Sequence, residues 1–263
     1  GPTQHAFPSP NEKAIEMTKA SKRERADKVL VTKDLAESRT RAQAMIMAGN
    51  VFIGEQRVDK PGDMIPTDAE VTVRGQEHAW VSRGGMKLDH GLEHFAIDPS
   101  NCTCIDVGAS TGGFTDVLLK KGAAKVYAVD VGRGQLDWSL RQDDRVTVLE
   151  GTNARHLTSG QIPEALDLVV CDASFIGLEK VLPASLSLAK PGARLIALIK
   201  PQFQAGRKDI GKGGVVRDST VHDRVCEEVR NWLTYSGWHV IGITKSPITG
   251  PKGNVEFLIA AQK

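Results

Sequence analysis

The chain has 263 residues, 40% of them hydrophobic and 25% charged, with 34 Lys+Arg against 32 Asp+Glu and a net charge of +2. That is the composition of an ordinary globular protein of roughly two domains, and the charge balance excludes a uniformly cationic nucleic-acid glue or an acidic tail protein. The longest apolar runs, such as Leu195 to Ile199, reach about five residues, against the roughly 18 that a bilayer-spanning helix needs. No basic-then-apolar leader opens the sequence, so a cytoplasmic protein without a membrane partner is the expectation. Oligomeric state is left open.

Residues 1–24 are polar, dotted with proline and without periodicity, and Gly1-Pro2 reads as a cloning scar; disorder is expected there. Residues 25–75 predict a small α+β module. Arg25 to Leu35 reads as a helix. Ser38 is a candidate N-cap for a second helix that Gly49 ends, with Ala42, Met45, Ile46 and Gly49 on one face. Val51–Ile53 and Arg57-Val58 predict a hairpin about Gly54-Glu55, Asp59–Gly62 a turn, and Glu70–Val73 a closing strand. From Lys19 to Arg41 the chain carries eight Lys/Arg and four Asp/Glu, a local +4 against −2 for the rest. A basic module on a near-neutral body is the footprint of a nucleic-acid binder. The runs Leu35–Gln43, Ile46–Gly54 and Val58–Gly62 give this stretch its resemblance to an S4 RNA-binding domain. The resemblance implies that the second helix and the following turn face an RNA backbone, with Arg25, Arg39 and Arg41 as phosphate contacts.

Residues 76–83 read as a linker whose Trp80 is expected to anchor the two parts. From residue 84 to 263, short β-branched runs alternate with helical stretches. Strands are predicted at 105–108, 125–130, 146–149, 166–171 and 195–199, and helices near 113–121, 135–142, 178–189 and 219–236. That alternation predicts a doubly wound, mostly parallel Rossmann-like sheet. The segments 238–245 and 255–261 are separated by a turn too short for a helix, so the last strand is expected to be antiparallel.

Cys102, Cys104, Cys171 and Cys226 lack zinc-site spacing and read as inert thiols. His90 and His94 fit H-x-x-E-H, but Gly91 weakens the helix that pattern needs, so no metal is expected.

The segment Asp106-Val-Gly108-Ala-Ser110-Thr-Gly112-Gly113-Phe114 follows the first of these strands and opens a helix, a junction that can hold an anionic group. It lacks the Lys of a Walker A loop and the spacing of a dinucleotide fingerprint. It also fits G-x-S-x-G, a serine-hydrolase elbow that would need Asp172 and His222 or His239 as partners. A methyl-transfer reading explains more. Asp130 ends the second strand, where a carboxylate can bind a ribose diol, with Val131 beside it. Asn153 follows the third strand, where an amide can read adenine. The expected cofactor is S-adenosylmethionine, held by Gly108, Ser110, Gly112, Gly113, Phe114, Asp130, Val131, Asn153 and Asp172.

Four ionisable residues stand at strand or helix ends: Lys87, Asp172, Lys200 and Glu256. In open parallel sheets, ligands bind outside the carboxyl ends of the strands; Glu256 reaches that crevice only if its strand is antiparallel. The segments Val81–Leu88, Cys171–Ile176, Lys200–Phe203, Gly211–Val216 and Gly253–Glu256 resemble the FtsJ-type ribose 2′-O-methyltransferases, which use a Lys-Asp-Lys-Glu tetrad. With the S4-like module in front, the chain resembles the TlyA family, often labelled hemolysin-like. Gln204 departs from the family pattern, where Glu is expected. The resemblance implies methylation of ribosomal RNA or ribosomal subunits.

A ribose hydroxyl must lose its proton as it attacks a sulfonium methyl, and a lysine can take that proton only if its pKa falls. Lys200 is the expected base, with Lys87 lowering its pKa or positioning the hydroxyl, Asp172 orienting it and Glu256 completing the hydrogen bonding. Arg83, Arg207 and Lys212 are expected to border the RNA entrance, the last two on a mobile glycine-rich loop. Two other classes compete: a non-catalytic RNA-binding or ribosome-assembly protein, and a pore-forming hemolysin.

Overall fold

The computed structural model describes residues 22–75 and 79–263. The expected N-terminal segment up to residue 21, and residues 76–78 of the expected linker, lie outside the described residues.

The first module is built from β1 (Arg23–Arg25), α1 (Ala26–Thr32), α2 (Arg39–Met47), β2 (Val51–Ile53), β3 (Gln56–Arg57), β4 (Met64–Pro66) and β5 (Val71–Val73). Ser38 caps α2, its Oγ accepting from Arg41 N at 3.1 Å. Val29, Leu30, Ala42, Ile46, Val51, Val58 and Ile65 form a core of their own between the two helices and the strands. One expectation fails here. The first helix is shorter than Arg25–Leu35, because Arg25 belongs to β1, which pairs antiparallel with β4 (Arg25 opposite Met64). That ladder has no alternation in sequence: Arg-Glu-Arg is charged throughout, and only backbone pairing reveals it.

The second part opens with α3 (Gly84–His94). It continues through β6 (Thr103–Val107), α4 (Gly113–Lys120), β7 (Lys125–Val129), α5 (Trp138–Arg141), β8 (Val146–Leu149), β9 (Leu166–Cys171), α6 (Leu178–Val181), α7 (Pro183–Ser187) and β10 (Ala189–Ile199). Then come α8 (Pro201–Gln204), α9 (Ser219–Tyr235), β11 (His239–Lys245) and β12 (Phe257–Gln262). The sheet runs β11-β12-β10-β9-β6-β7-β8. The strands from β10 to β8 are parallel, and β12 is antiparallel to both β10 and β11. Apolar side chains cover both faces. One face carries α9 through Val221, Val225, Val229 and Leu233. The other carries α3 and α4 through Leu88, Leu92, Phe114, Val117 and Leu118.

The helix expected over 178–189 is two helices, because Pro183 has no N–H to donate and starts a new one. The helix near 135–142 shrinks to one turn behind an Asp137 N-cap. β10 begins at Ala189, earlier than its apolar run, since Lys190, Pro191 and Gly192 are exposed and the register shifts before Arg194. Strand order reverses between β6 and β9, and that switch point opens a crevice at the carboxyl ends of both strands.

Candidate active site

The loop after β6 lies in that crevice, pressed against the end of β9. Gly108 has φ 82°, and a Cβ there would collide with the carbonyl oxygen of Asp172. A Cβ at Gly113, where α4 begins, would collide with Ser82 Oγ and sit 2.7 Å from Gly85 N. The glycines are therefore required by close approach between the loop, β9 and the start of α3. Asp130, ending β7, accepts from Ser110 N at 2.6 Å and Gly132 N at 2.8 Å. Its carboxylate fixes the loop. Val131 is exposed beside it. Asn153 spends its carbonyl oxygen on Arg155 N at 3.0 Å, so its amide N–H group is what remains for recognition. Phe114 is buried and lines the cavity's inner wall.

The cavity is lined by Lys87, Gly108, Ala109, Ser110, Thr111, Asp172, Ser174 and Lys200. Lys200 and Asp172 form an ion pair, and Lys200 Nζ donates to Ser174 Oγ at 3.2 Å. Pro201 holds Lys200 extended (φ −111°, ψ 99°). Lys87 Nζ donates to Glu256 Oε1 at 2.7 Å, both groups almost wholly buried, and Gln202 Nε2 donates to Glu256 Oε2 at 3.0 Å. Antiparallel β12 brings Glu256 to the parallel strands' carboxyl ends, as required. Glu256 nonetheless stands behind the cavity, reaching it through Lys87.

The electrostatics correct one expectation. Burial works against the Lys200 ammonium, but Asp172 and Glu256 outweigh it and hold the pKa up at about 12. Burial likewise opposes the Asp172 carboxylate, yet Lys200 and Lys87 keep it below the ordinary range. The net shift of Lys200 is therefore upward, not the depression expected from Lys87, whose ammonium is bonded to Glu256.

Beneath the loop, Asp106 is fully buried. Its Oδ2 accepts from Thr115 N and Oγ1, while Oδ1 has no hydrogen-bond partner among the described residues. Burial, with Asp172 and Asp130 adding, outweighs the Thr115 bonds and raises its pKa from 3.8 to about 7. The folded chain therefore holds this proton more tightly than the unfolded one. Its contribution is most favourable below about pH 4 and is lost as pH rises through about 7. An Asp106→Asn variant is expected to gain in melting temperature over the parent as pH goes from 5 to 8; a constant difference would contradict this.

The FtsJ-like methyltransferase family matches residues 80–263, and the S4 domain matches residues 24–71. The chain belongs to the FtsJ-like methyltransferase family. It is 48% identical over 240 residues, 91% of this chain and 90% of the relative, to the 16S/23S rRNA (cytidine-2′-O)-methyltransferase TlyA of Mycobacterium tuberculosis. Hemolysin A of Brachyspira hyodysenteriae is 38% identical over 235 residues, 89% of this chain and 98% of that one. A solved structure from Streptococcus thermophilus, provisionally named a hemolysin, has a TM-score of 0.81 at 43% identity, covering 93% of this chain and 90% of its own. The matches run along about nine-tenths of this chain, so this is a TlyA-type chain: an S4 domain followed by an FtsJ-like domain. No described helix is long and apolar enough to cross a membrane.

The serine-hydrolase alternative fails in this FtsJ-like domain. His222 Nε2 is bonded to Val216 O at 2.7 Å, and His239 lies on β11, with three strands between it and β6. His90 and His94 stack on each other at 5.7 Å. The four cysteines are free, and burial pushes the Cys171 thiol up to about 12. Trp80 packs on Gly85 of α3 under Lys120, in the FtsJ-like core.

Of the residues expected to meet RNA, Arg41 lines a groove between the two domains with Arg74. Arg207 and Lys212 are exposed. Arg83 is corrected: it is only 12% exposed, pairs with Asp34 at 3.6 Å and Glu37 at 3.7 Å, and donates to Thr249 O at 3.4 Å, so it clamps the S4 domain to the FtsJ-like domain. The glycine-rich loop expected to be mobile is tied down by Asn254. The Asn254 side chain accepts from Val216 N at 3.1 Å and donates to Gly214 O at 3.2 Å. Gln204 bonds Leu178 N and Glu179 at the start of α6, away from the chemistry.

Sequence reasoning missed several groups. Val31, Thr32 and Asp34 of the S4 domain line the cavity, and Thr111 Oγ1 donates to Lys33 O at 2.8 Å. Ser174, Gln202 and Asn254 sat inside the family-like segments with no signal to mark them. Phe175 did too. Its ring is 89% exposed, its φ is 63°, and it lies 4.9 Å from the Phe203 ring, which in turn lies 6.0 Å from Lys200 Nζ.

Proposed function

We propose that this chain transfers a methyl group from S-adenosylmethionine to ribose 2′-hydroxyls of ribosomal RNA. The observation that carries the reading is the Lys200–Asp172 pair beside the glycine-rich loop, with Lys87 in the same cavity. The name of the Mycobacterium tuberculosis relative points the same way. A cytoplasmic location goes with it, because ribosomes are there.

The cradle fits the donor: loop glycines that admit no Cβ, a carboxylate at the end of β7 and a helix start at Gly113. Gly108, Ser110, Gly112, Gly113, Asp130, Val131 and Asn153 would hold it, with Asp172 at its reactive end. Bound there, S-adenosylmethionine supplies an electrophilic methyl group on sulfur. The remaining work falls to the chain. Lys200 meets the ribose hydroxyl, first as an ammonium donating to the oxygen, and accepts the hydroxyl proton only in the minor neutral form. Asp172 aims the Lys200 amine and keeps that neutral form scarce. Glu256 and Gln202 hold Lys87 where its ammonium can meet the ribose or its phosphate. Holding reactants in line contributes as much as base catalysis does.

Phe175 is the platform for the target base. An aromatic side chain at positive φ is strained, and such strain is kept where it serves a purpose. Base stacking on an aromatic ring contributes about 1–3 kcal/mol, so Phe175→Ala is expected to raise KM for RNA by roughly 5- to 100-fold. Unchanged steady-state kinetics would remove the platform.

The reading as a whole is tested by incubating the chain with methyl-labelled donor and deproteinised ribosomal RNA. Transfer supports it; binding of RNA with no transfer would favour a non-catalytic RNA-binding protein.

A further inference from the structure

Asp27 sits in the first turn of α1 with no exposed side-chain surface. Its Oδ1 accepts from Arg25 Nε at 3.2 Å and Lys28 N at 2.8 Å. Its Oδ2 accepts from Arg25 Nη2 at 3.1 Å, Arg39 Nη2 at 3.3 Å and Gln43 Nε2 at 3.0 Å. One carboxylate thus grips two guanidinium groups from separate elements, β1 and the start of α2. Those two side chains stay 48% and 57% exposed while their acceptor is sealed. The Arg25 guanidinium also lies beside Gly62, where an added Cβ would meet its Nη1 and Cζ at ordinary contact distance.

A buried carboxylate is costly unless it is paired and hydrogen-bonded. Burial pushes Asp27 up, but the bonds from Arg25, Gln43, Arg39 and the Lys28 backbone hold it well below the ordinary carboxylate range. It is therefore charged throughout the neutral range, and the cluster of Asp27, Arg25 and Arg39 keeps one net positive charge. A guanidinium has five N–H donors in a rigid fork, so the edge turned away from Asp27 stays available to an outer acceptor.

We propose that Asp27 is a positioning residue that presents Arg25 and Arg39 as one pre-organised edge for RNA phosphate. The proposal rests on the reading that the S4 domain binds RNA. Its physical content is entropic: a free arginine must be immobilised when it binds, and Asp27 has already done so in the unbound chain.

The test uses the full chain, filter binding to deproteinised ribosomal RNA over a range of salt, and three substitutions. Asp27→Asn keeps the shape but turns an N–H group toward donors, releasing the forks. It is expected to bind RNA roughly tenfold more weakly, from the ordering cost of two long side chains. Its log affinity against log salt should keep the parent's slope, since the same phosphate contacts form at a higher ordering cost. In an Arg25→Ala/Arg39→Ala background, Asp27→Asn should cost nothing further, since the residues through which it acts are gone. Binding of S-adenosylhomocysteine in the cavity, whose lining does not include Asp27, should stay unchanged. Should Asp27→Asn unfold the S4 domain, Arg25→Lys answers separately, because it keeps the charge and loses the fork: a several-fold loss supports pre-organisation, and unchanged affinity overturns it. An Asp27→Asn chain that binds RNA as tightly as the parent or more tightly, as removal of a negative charge alone would give, overturns the proposal. So does the same fold-loss in the double-alanine background. A parent chain that binds no RNA overturns the underlying reading with it, whereas a parent that binds and variants that do not differ overturn this proposal alone.

Discussion

Replacing Lys200 with alanine is expected to slow methyl transfer to deproteinised ribosomal RNA by about 10²–10⁴-fold, the usual contribution of a positioned general base. The side chain is almost wholly buried at the cavity wall and paired with Asp172, so cutting it back also leaves that carboxylate without its partner, and the rates are compared on protein shown to be folded. Arginine is the informative partner variant. It keeps the positive charge beside Asp172 but cannot deprotonate near neutral pH, so Lys200→Arg should be as slow as alanine if the amine takes the proton. The raised pKa of Lys200, about 12, adds a pH signature. Since the neutral amine is the scarce form, the rate should climb by about tenfold per pH unit from roughly pH 6 to 9, without a plateau. Asp172→Asn removes the larger of the two carboxylate influences that hold the ammonium, and should bring a plateau into the measured range at a lower maximal rate. An active arginine variant would take the base role away from Lys200, whereas a plateau below pH 8 in the parent chain would mean that bound donor and RNA lower its pKa.

The second large effect is on stability. Glu256 and Lys87 are 1% and 3% exposed and bonded at 2.7 Å. Removing one partner of such a pair leaves the other charge uncompensated in a poorly solvated place, which costs about 3–5 kcal/mol. Glu256→Ala should therefore lower the urea midpoint sharply. The Lys87→Met/Glu256→Leu double variant should recover most of that stability, because two apolar groups need no compensation, yet remain inactive. If the double variant is no more stable than Glu256→Ala, the loss belongs to packing around Gly250 and Gln202, and the ion pair is not its cause.

These two pairs also mark where sequence was sufficient. Lys200 and Asp172 end adjacent parallel strands, and a β-branched run followed by a charged residue announces such an end. Glu256 required one further step, the antiparallel return of β12, which the short 247–254 turn already implied. The partnership of Lys87 with Glu256, and not with Lys200, was illegible, because spacing along the chain says nothing about which of two carboxylates a buried ammonium reaches. The same limit hid the role of Arg83. Its motif neighbours point to the catalytic helix, while its acceptors, Asp34 and Glu37, lie on the S4 domain. The β1–β4 ladder and the S4 residues on the cavity wall are of this kind too, since both are long-range contacts with no local pattern. Phe175 was legible as an aromatic but not as an exposed one, since its positive φ depends on how the segment after β9 turns.

The account's central claim is that the methyl group goes to a ribose oxygen of RNA. A 2′-O-methyl group blocks attack on the neighbouring phosphate, so the linkage beside it survives alkali. After transfer from methyl-labelled donor to ribosomal RNA and alkaline hydrolysis, the label should sit in alkali-resistant dinucleotides. Label released in mononucleotides would mean that a base is modified, and would contradict the assignment of Lys200, Asp172, Lys87 and Glu256 to ribose chemistry.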